Sequence, residues 1–362
     1  MKTTMKRMML VALAGAAMGL LVMLTVSRTG AQMFNDRPFT ENWWPSEFGP
    51  NDKAGAINRI TPETVMRAVR LVKQGKTATL GKYYDRDIPA FGVRMWNMII
   101  PGTPTGGPMG SNGLVYHDEF VSAEIGQIGT QFDGPGHIGV RTSKGDFFYN
   151  GREREATYER GGGTRPVGLG DLGVEHVAEK AFVCRGVLLD APRHRGVNPL
   201  PIPTVTSSPG IVRAADVMAM VKAQGLTEIG VGDCVFLYTG HGDLWKNNAW
   251  KSMTADQRRD ARARFTAGEP GFGRSACEYM AERRITLMGG DTSANDAQPV
   301  GEIEGEAVPC HHVAQTRHGI WNIENLDFEP LLRENVYEFL FVWSPLKIVG
   351  ATGSPGNPVA IW

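Results

Sequence analysis

Between Thr61 and Gly75, apolar residues recur at Val65, Ala68, Val69 and Val72, while Arg67, Arg70 and Lys73 fall outside the stripe. That is the spacing of a one-faced helix. Thr61 supplies its N-cap, Pro62 its first turn, Glu63 an acid at the positive end and Gly75 its stop. Residues 77–84 read as a strand. Residues 101–113 carry glycine and proline without any period, which predicts a long loop able to close over a site as a lid. Further strands are predicted at 182–190, 234–239, 285–288 and 336–342, and helices at 212–224, 254–265 and 275–284. Strands and helices alternate only in the second half, so the pattern predicts a mixed α/β domain without the regular repeat of a doubly wound sheet.

One segment stands apart because its periodicity is polar. In residues 127–137, Gln127, Gln131 and Asp133 share one parity, with Gly129 between them, so an extended chain would turn all three to one face. Ile128, Thr130 and Phe132 would face the other way. The Gly134-Pro135-Gly136 turn then stops the strand and swings His137 back, gathering a carboxylate, an imidazole and two amides around a hollow.

Composition changes this picture mainly by exclusion. The 362 residues carry 38 basic and 38 acidic groups, so there is no electrostatic footprint for nucleic acid, and a small molecule is the expected partner. Lys2, Lys6 and Arg7 precede an apolar run from Met8 to Val26, and Thr29-Gly30-Ala31 follows it. This predicts a signal peptide over residues 1–31, a single domain over 32–362 and a periplasmic or secreted protein, with a retained membrane anchor as the alternative. Four cysteines allow three pairings, and no Cys-x-x-Cys spacing points to zinc. A chain of this length builds its own core, so buried free thiols are expected.

The 127–137 segment resembles the His-x-Gly-Thr-His-x-Asp-x-Pro-x-His signature of the metal-dependent cyclase family, which includes bacterial kynurenine formamidases and isatin hydrolases. Glutamines 127 and 131 stand where that signature has its first two histidines. Later blocks match in order: Arg185 to Asp190, Gly289-Gly290-Asp291-Thr292, His311-His312, Ile323 to Leu326 and Gly350 to Pro355, so the resemblance covers about residues 40 to 362. It implies a swivelling β/β/α fold around a β-barrel-like core, a homodimer or homotetramer, and hydrolysis of a non-peptide C–N bond in an amide, formamide, cyclic imide or lactam. It also implies a metal held by Asp133, a histidine and a glutamate twelve residues further on, with His137 moving protons. Glu324 lies twelve residues after His312, which selects His312 over His311.

With Gln127 and Gln131 offering only amide oxygens, the expected ion is a single divalent metal, Mn²⁺ in preference to Zn²⁺. The alternative reading is a periplasmic small-molecule binding protein on the same fold that has lost metal and catalysis. His311, Asp291 and His241 are candidates for a supporting shell, each with a structural alternative as a loop histidine or turn cap. Trp43, Trp44, Trp96, Phe147 and Phe148 are candidates for the wall of an aromatic pocket, or plain core.

Overall fold

Nine strands make one curled mixed sheet, and its order follows from which strands are apolar on both faces. The computed structural model describes residues 34–153, 158–160 and 166–362; the leader expected at 1–31 lies outside them. The strands are β1 (Thr77–Thr79), β2 (Gln131–Asp133), β3 (Phe182–Asp190), β4 (Cys234–Tyr238), β5 (Leu287–Gly290), β6 (Trp321–Glu324), β7 (Glu338–Trp343), β8 (Gly353–Pro355) and β9 (Val359–Ile361). They run β1-β9-β7-β3-β4-β5-β6-β2-β8 across the sheet. The centre, β3 to β6, is parallel, and the flanking pairs are antiparallel. Parallel strands are covered on both faces, which is why β3 and β4 read as continuous apolar runs.

Alternate residues of the sheet feed two cores. On one side Phe132, Cys184, Leu188, Phe236, Phe339 and Phe341 pack together. On the other, Val187, Leu189, Val235, Leu237 and Met288 meet helices α2 (Ala214–Ala223) and α4 (Arg274–Glu282). Helix α1 (Pro62–Val69) starts at Thr61, whose side chain accepts from the Thr64 amide as the sequence predicts. Helix α3 (Ala255–Phe265) opens on a Thr254/Gln257 capping box.

The structure corrects two expectations here. The cysteines are not free thiols: Cys184 is bonded to Cys234 within the first core and Cys277 to Cys310 in the second. Nor is 101–113 one long loop. It lies within an arm made of a ribbon, Trp96–Ile99 paired with Phe120–Ala123, and a hairpin, Gly106–Met109 paired with Leu114–Tyr116. Glycine and proline hide short strands from a periodicity argument, because they contribute no alternating side chains. Among the described residues no helix is long and apolar enough to cross a membrane.

Candidate metal centre

The candidate site is built on the β2/β6 pairing. Strand β2 is only three residues long because Gly129, at φ +72°, turns the chain just before it; a Cβ there would lie 2.2 Å from the Tyr84 ring. Antiparallel register sets Gln131 opposite Glu324 and Asp133 opposite Asn322. Gln131, Asp133, Asn322 and Glu324 therefore share a face, and all four are buried. The Gln131 amide donates to Glu324 Oε2 at 2.7 Å, so this glutamine holds the carboxylate in place.

His311 closes the cluster. Its Nε2 lies 3.3 Å from Asp133 Oδ2 and 3.5 Å from Glu324 Oε1, and the ligand-type atoms of the three residues all fall within 4.8 Å of one another. Asp133 Oδ1, Glu324 Oε1 and Gln127 Oε1 are buried without a hydrogen-bond partner. Two orphaned carboxylate oxygens beside one imidazole nitrogen, with a third orphaned oxygen on nearby Gln127, form a donor set that suits a divalent cation and is costly without one.

The spacing expectation is corrected at this point, because His311 and not His312 faces Asp133 and Glu324. Residues His311–Arg317 form a π-helix. A π-turn accommodates one residue more than an α-turn, and Glu324 lies thirteen residues after His311 rather than twelve. His312 is half-buried apart from the cluster, beside the Gly139 backbone, and desolvation lowers its pKa. The π-helix is strapped to the signature turn: Gln315 donates to the Gly134 carbonyl and Thr316 to that of Ile138.

Asp296, which sequence reasoning missed, fixes His311. Its Oδ2 takes the His311 Nδ1 bond at 2.7 Å, while Oδ1 accepts from the Cys310 amide at 2.7 Å. With Nδ1 committed as a donor, the neutral ring presents its Nε2 lone pair to the cluster, the arrangement found behind metal-bound histidines. Glu269 was missed as well. Fully buried, it holds the Ser293 amide and hydroxyl and the Ala294 amide, and so shapes the loop that lines the site. Burial raises its pKa to about 7.

His137 sits where the Gly-Pro-Gly turn delivers it, with Nε2 3.7 Å from Asp133 Oδ2. Gly136 allows that turn, since a Cβ there would lie 2.2 Å from Leu169 Cδ1. Burial lowers the His137 pKa against the pull of Asp133, so the ring is neutral at pH 7. The cavity in front of it, about 250 Å³, is lined by Phe91, Arg94, Gln131, Asp133, His137, Ile138, Ser293, Ala294, Gln298, Val308, His311 and Glu324. Gln127 lies in the adjoining recess.

The remaining candidates lie elsewhere. Asp291 accepts from the Thr239, Gly240 and Gly242 amides and caps that loop. His241 bonds the Phe265 carbonyl at 3.0 Å. Trp43, Trp44 and Phe147 form a separate cluster with Phe39, and Trp96 packs on Tyr84, so none of these rings walls the cavity. The aromatic ring that does is Phe91, in a loop without periodic signal.

The protonation states give a prediction. Burial and the Asp133 charge raise Glu324 to about 8. Burial opposes a charged His311, but its bonds to Asp133 and Asp296 and the nearby Glu324 carboxylate raise its pKa well above the usual value. Burial likewise opposes the Asp133 charge, yet His137 and His311 hold its carboxyl below its ordinary range. Both raised groups bind protons more tightly folded than unfolded, so the metal-free protein loses stability as pH rises. Glu324 contributes that loss between its ordinary value of 4.5 and about 8. Ligation requires both groups to be deprotonated, so metal uptake at pH 7 should release roughly two protons and tighten as pH rises. Calorimetry in buffers of different ionisation enthalpy checks this, and uptake without proton release would refute it.

The model of the Cyclase family matches residues 61–297. Among solved structures, one described as a novel cyclase is 27% identical with a TM-score of 0.70, covering 87% of this chain and 98% of its own. Isatin hydrolase A from Labrenzia aggregata is 19% identical at TM-score 0.50, covering 79% and 93%. An isatin hydrolase bound to the product analogue thioisatinate is 16% identical at TM-score 0.51, covering 83% and 98%. No curated protein matches the chain.

Proposed function

The chain belongs to the cyclase family, and from that premise we propose that it is an exported hydrolase of non-peptide C–N bonds, acting on an amide, formamide, cyclic imide or lactam. The observation that carries this reading is a neutral, half-buried histidine sharing one cavity with the Asp133, His311 and Glu324 cluster. A pure binding protein has no need of that base.

Asp133, His311 and Glu324 would hold one divalent ion, with Gln127 Oε1 as a further oxygen donor. When bound, the ion would polarise the scissile carbonyl and acidify a water. His137 accepts a proton from the attacking water and returns it to the leaving nitrogen, a role that needs a ring uncharged at rest. Asp296 keeps the His311 tautomer fixed, and Gln131 keeps Glu324 aimed. One imidazole among oxygen donors favours Mn²⁺ over Zn²⁺. We also propose a homodimer or homotetramer, for which exposed Met98, Ile99, Val115 and Phe120 on the arm offer apolar surface.

Elemental analysis of the purified protein, followed by turnover assays on formanilides, cyclic imides and lactams with Mn²⁺ supplied, tests the proposal. Asp133→Asn should abolish metal retention and hydrolysis together. Hydrolysis that is indifferent to metal and to this substitution would sink it.

A further inference from the structure

Most polar side chains lining the cavity are already committed. Ser293 gives its hydroxyl to Glu269, Gln131 holds Glu324, and His311 is bonded between Asp296 and Asp133. Arg94 is different. Among the described residues it is the only lysine or arginine lining the cavity, and it forms no ion pair with any of them. Its guanidinium makes a single hydrogen bond, from Nη1 to the Gln127 carbonyl at 3.3 Å. The neighbouring carboxylate Glu124 is spent on the Met95 amide at 2.8 Å. A guanidinium has five donors in a planar fork that matches a carboxylate, so most of its bonding capacity is left for a ligand.

The surroundings set what else that ligand carries. Phe91 and Arg94 come from one turn, closed by the Arg94 amide on the Phe91 carbonyl at 3.2 Å, and both line the cavity. Ile138, Ala294 and Val308 add apolar surface. Arg94 and His137 line the same cavity, so the fork and the base face one ligand space.

We propose that Arg94 is a specificity residue that binds a carboxylate on the substrate, so that the preferred substrates are amides carrying an anionic carboxylate on a small apolar group. This rests on the hydrolase reading for the word substrate, and on the cavity alone for the binding of the anion.

The test is calorimetric titration of benzoate and of its neutral isostere benzamide into the metal-loaded protein and into Arg94→Gln and Arg94→Lys. Wild type should bind benzoate at least about tenfold more tightly than benzamide, the margin of a charge-assisted pair. Arg94→Gln should erase that preference, and Arg94→Lys, which keeps the charge without the fork, should retain part of it. Equal affinities in wild type would overturn the proposal. So would a preference that survives Arg94→Gln, because it would assign the anion to the metal. Neither titration requires turnover, so a protein that binds benzoate through Arg94 but hydrolyses no amide would refute the hydrolase reading alone.

Discussion

His137→Ala should lower kcat by about a hundredfold or more while leaving metal content and melting temperature near wild type. Among the described residues the His137 ring meets Asp133 Oδ2 at 3.7 Å and the His311 ring at 6.4 Å between centroids, and the turn beneath it is fixed by backbone bonds, with His137 N–H donating to the Gly134 carbonyl and Gly134 N–H to that of Thr352. Because burial lowers its pKa, the base stays unprotonated to somewhat below the ordinary histidine value. The acid limb of the kcat/KM profile should therefore fall below pH 6.5 and vanish in the variant. Single-turnover kinetics on a hydrolysed amide with metal quantified in the same samples would check this. Unchanged turnover, or loss of metal in step with activity, would remove His137 from proton transfer.

Gln127→His combined with Gln131→His should raise zinc affinity by orders of magnitude and shift the balance between Zn²⁺ and Mn²⁺ toward zinc. Position 131 lies directly across from Glu324, and its side chain already touches that carboxylate. Position 127 ends in a buried oxygen without a partner. Replacing two neutral amides by two imidazoles changes the softness of the donor set, which matters far more for zinc than for harder ions. Titrating both proteins with Zn²⁺ and Mn²⁺ would decide it, and identical zinc binding would place both side chains outside the metal's reach.

How much of this was legible in the sequence varies with the kind of signal. The mixed α/β class and the capped helix at Thr61 were readable, because periodicity and caps are local. Asp133 and His137 were readable through the resemblance and the Gly-Pro-Gly turn. The choice between His311 and His312 was not, since counting residues assumes a helical pitch and the π-helix breaks it. Asp296 reaches His311 from a loop fifteen positions upstream with no pattern to announce it. Phe91 and Arg94 escaped for the same reason. The cysteine bonds were hidden by context: Cys184 and Cys234 look like ordinary core residues until β3 and β4 are known to be neighbours.

The Cys277–Cys310 bond gives the site a history as well as a shape. Cys310 immediately precedes His311, and its amide is held by the same aspartate that orients the imidazole. The π-helix is thus covalently moored to α4 at the residue next to the histidine of the Asp133, His311 and Glu324 cluster. Oxidation of this pair becomes a maturation step: the cross-link narrows the conformations open to the unfolded chain, typically by 2–4 kcal/mol of stability. It does so where the histidine must later be found in place. Protein made in a reducing cytosol or purified with thiols would be short of that mooring, and its low metal content would reflect the conditions of preparation rather than the donor set encoded in the chain.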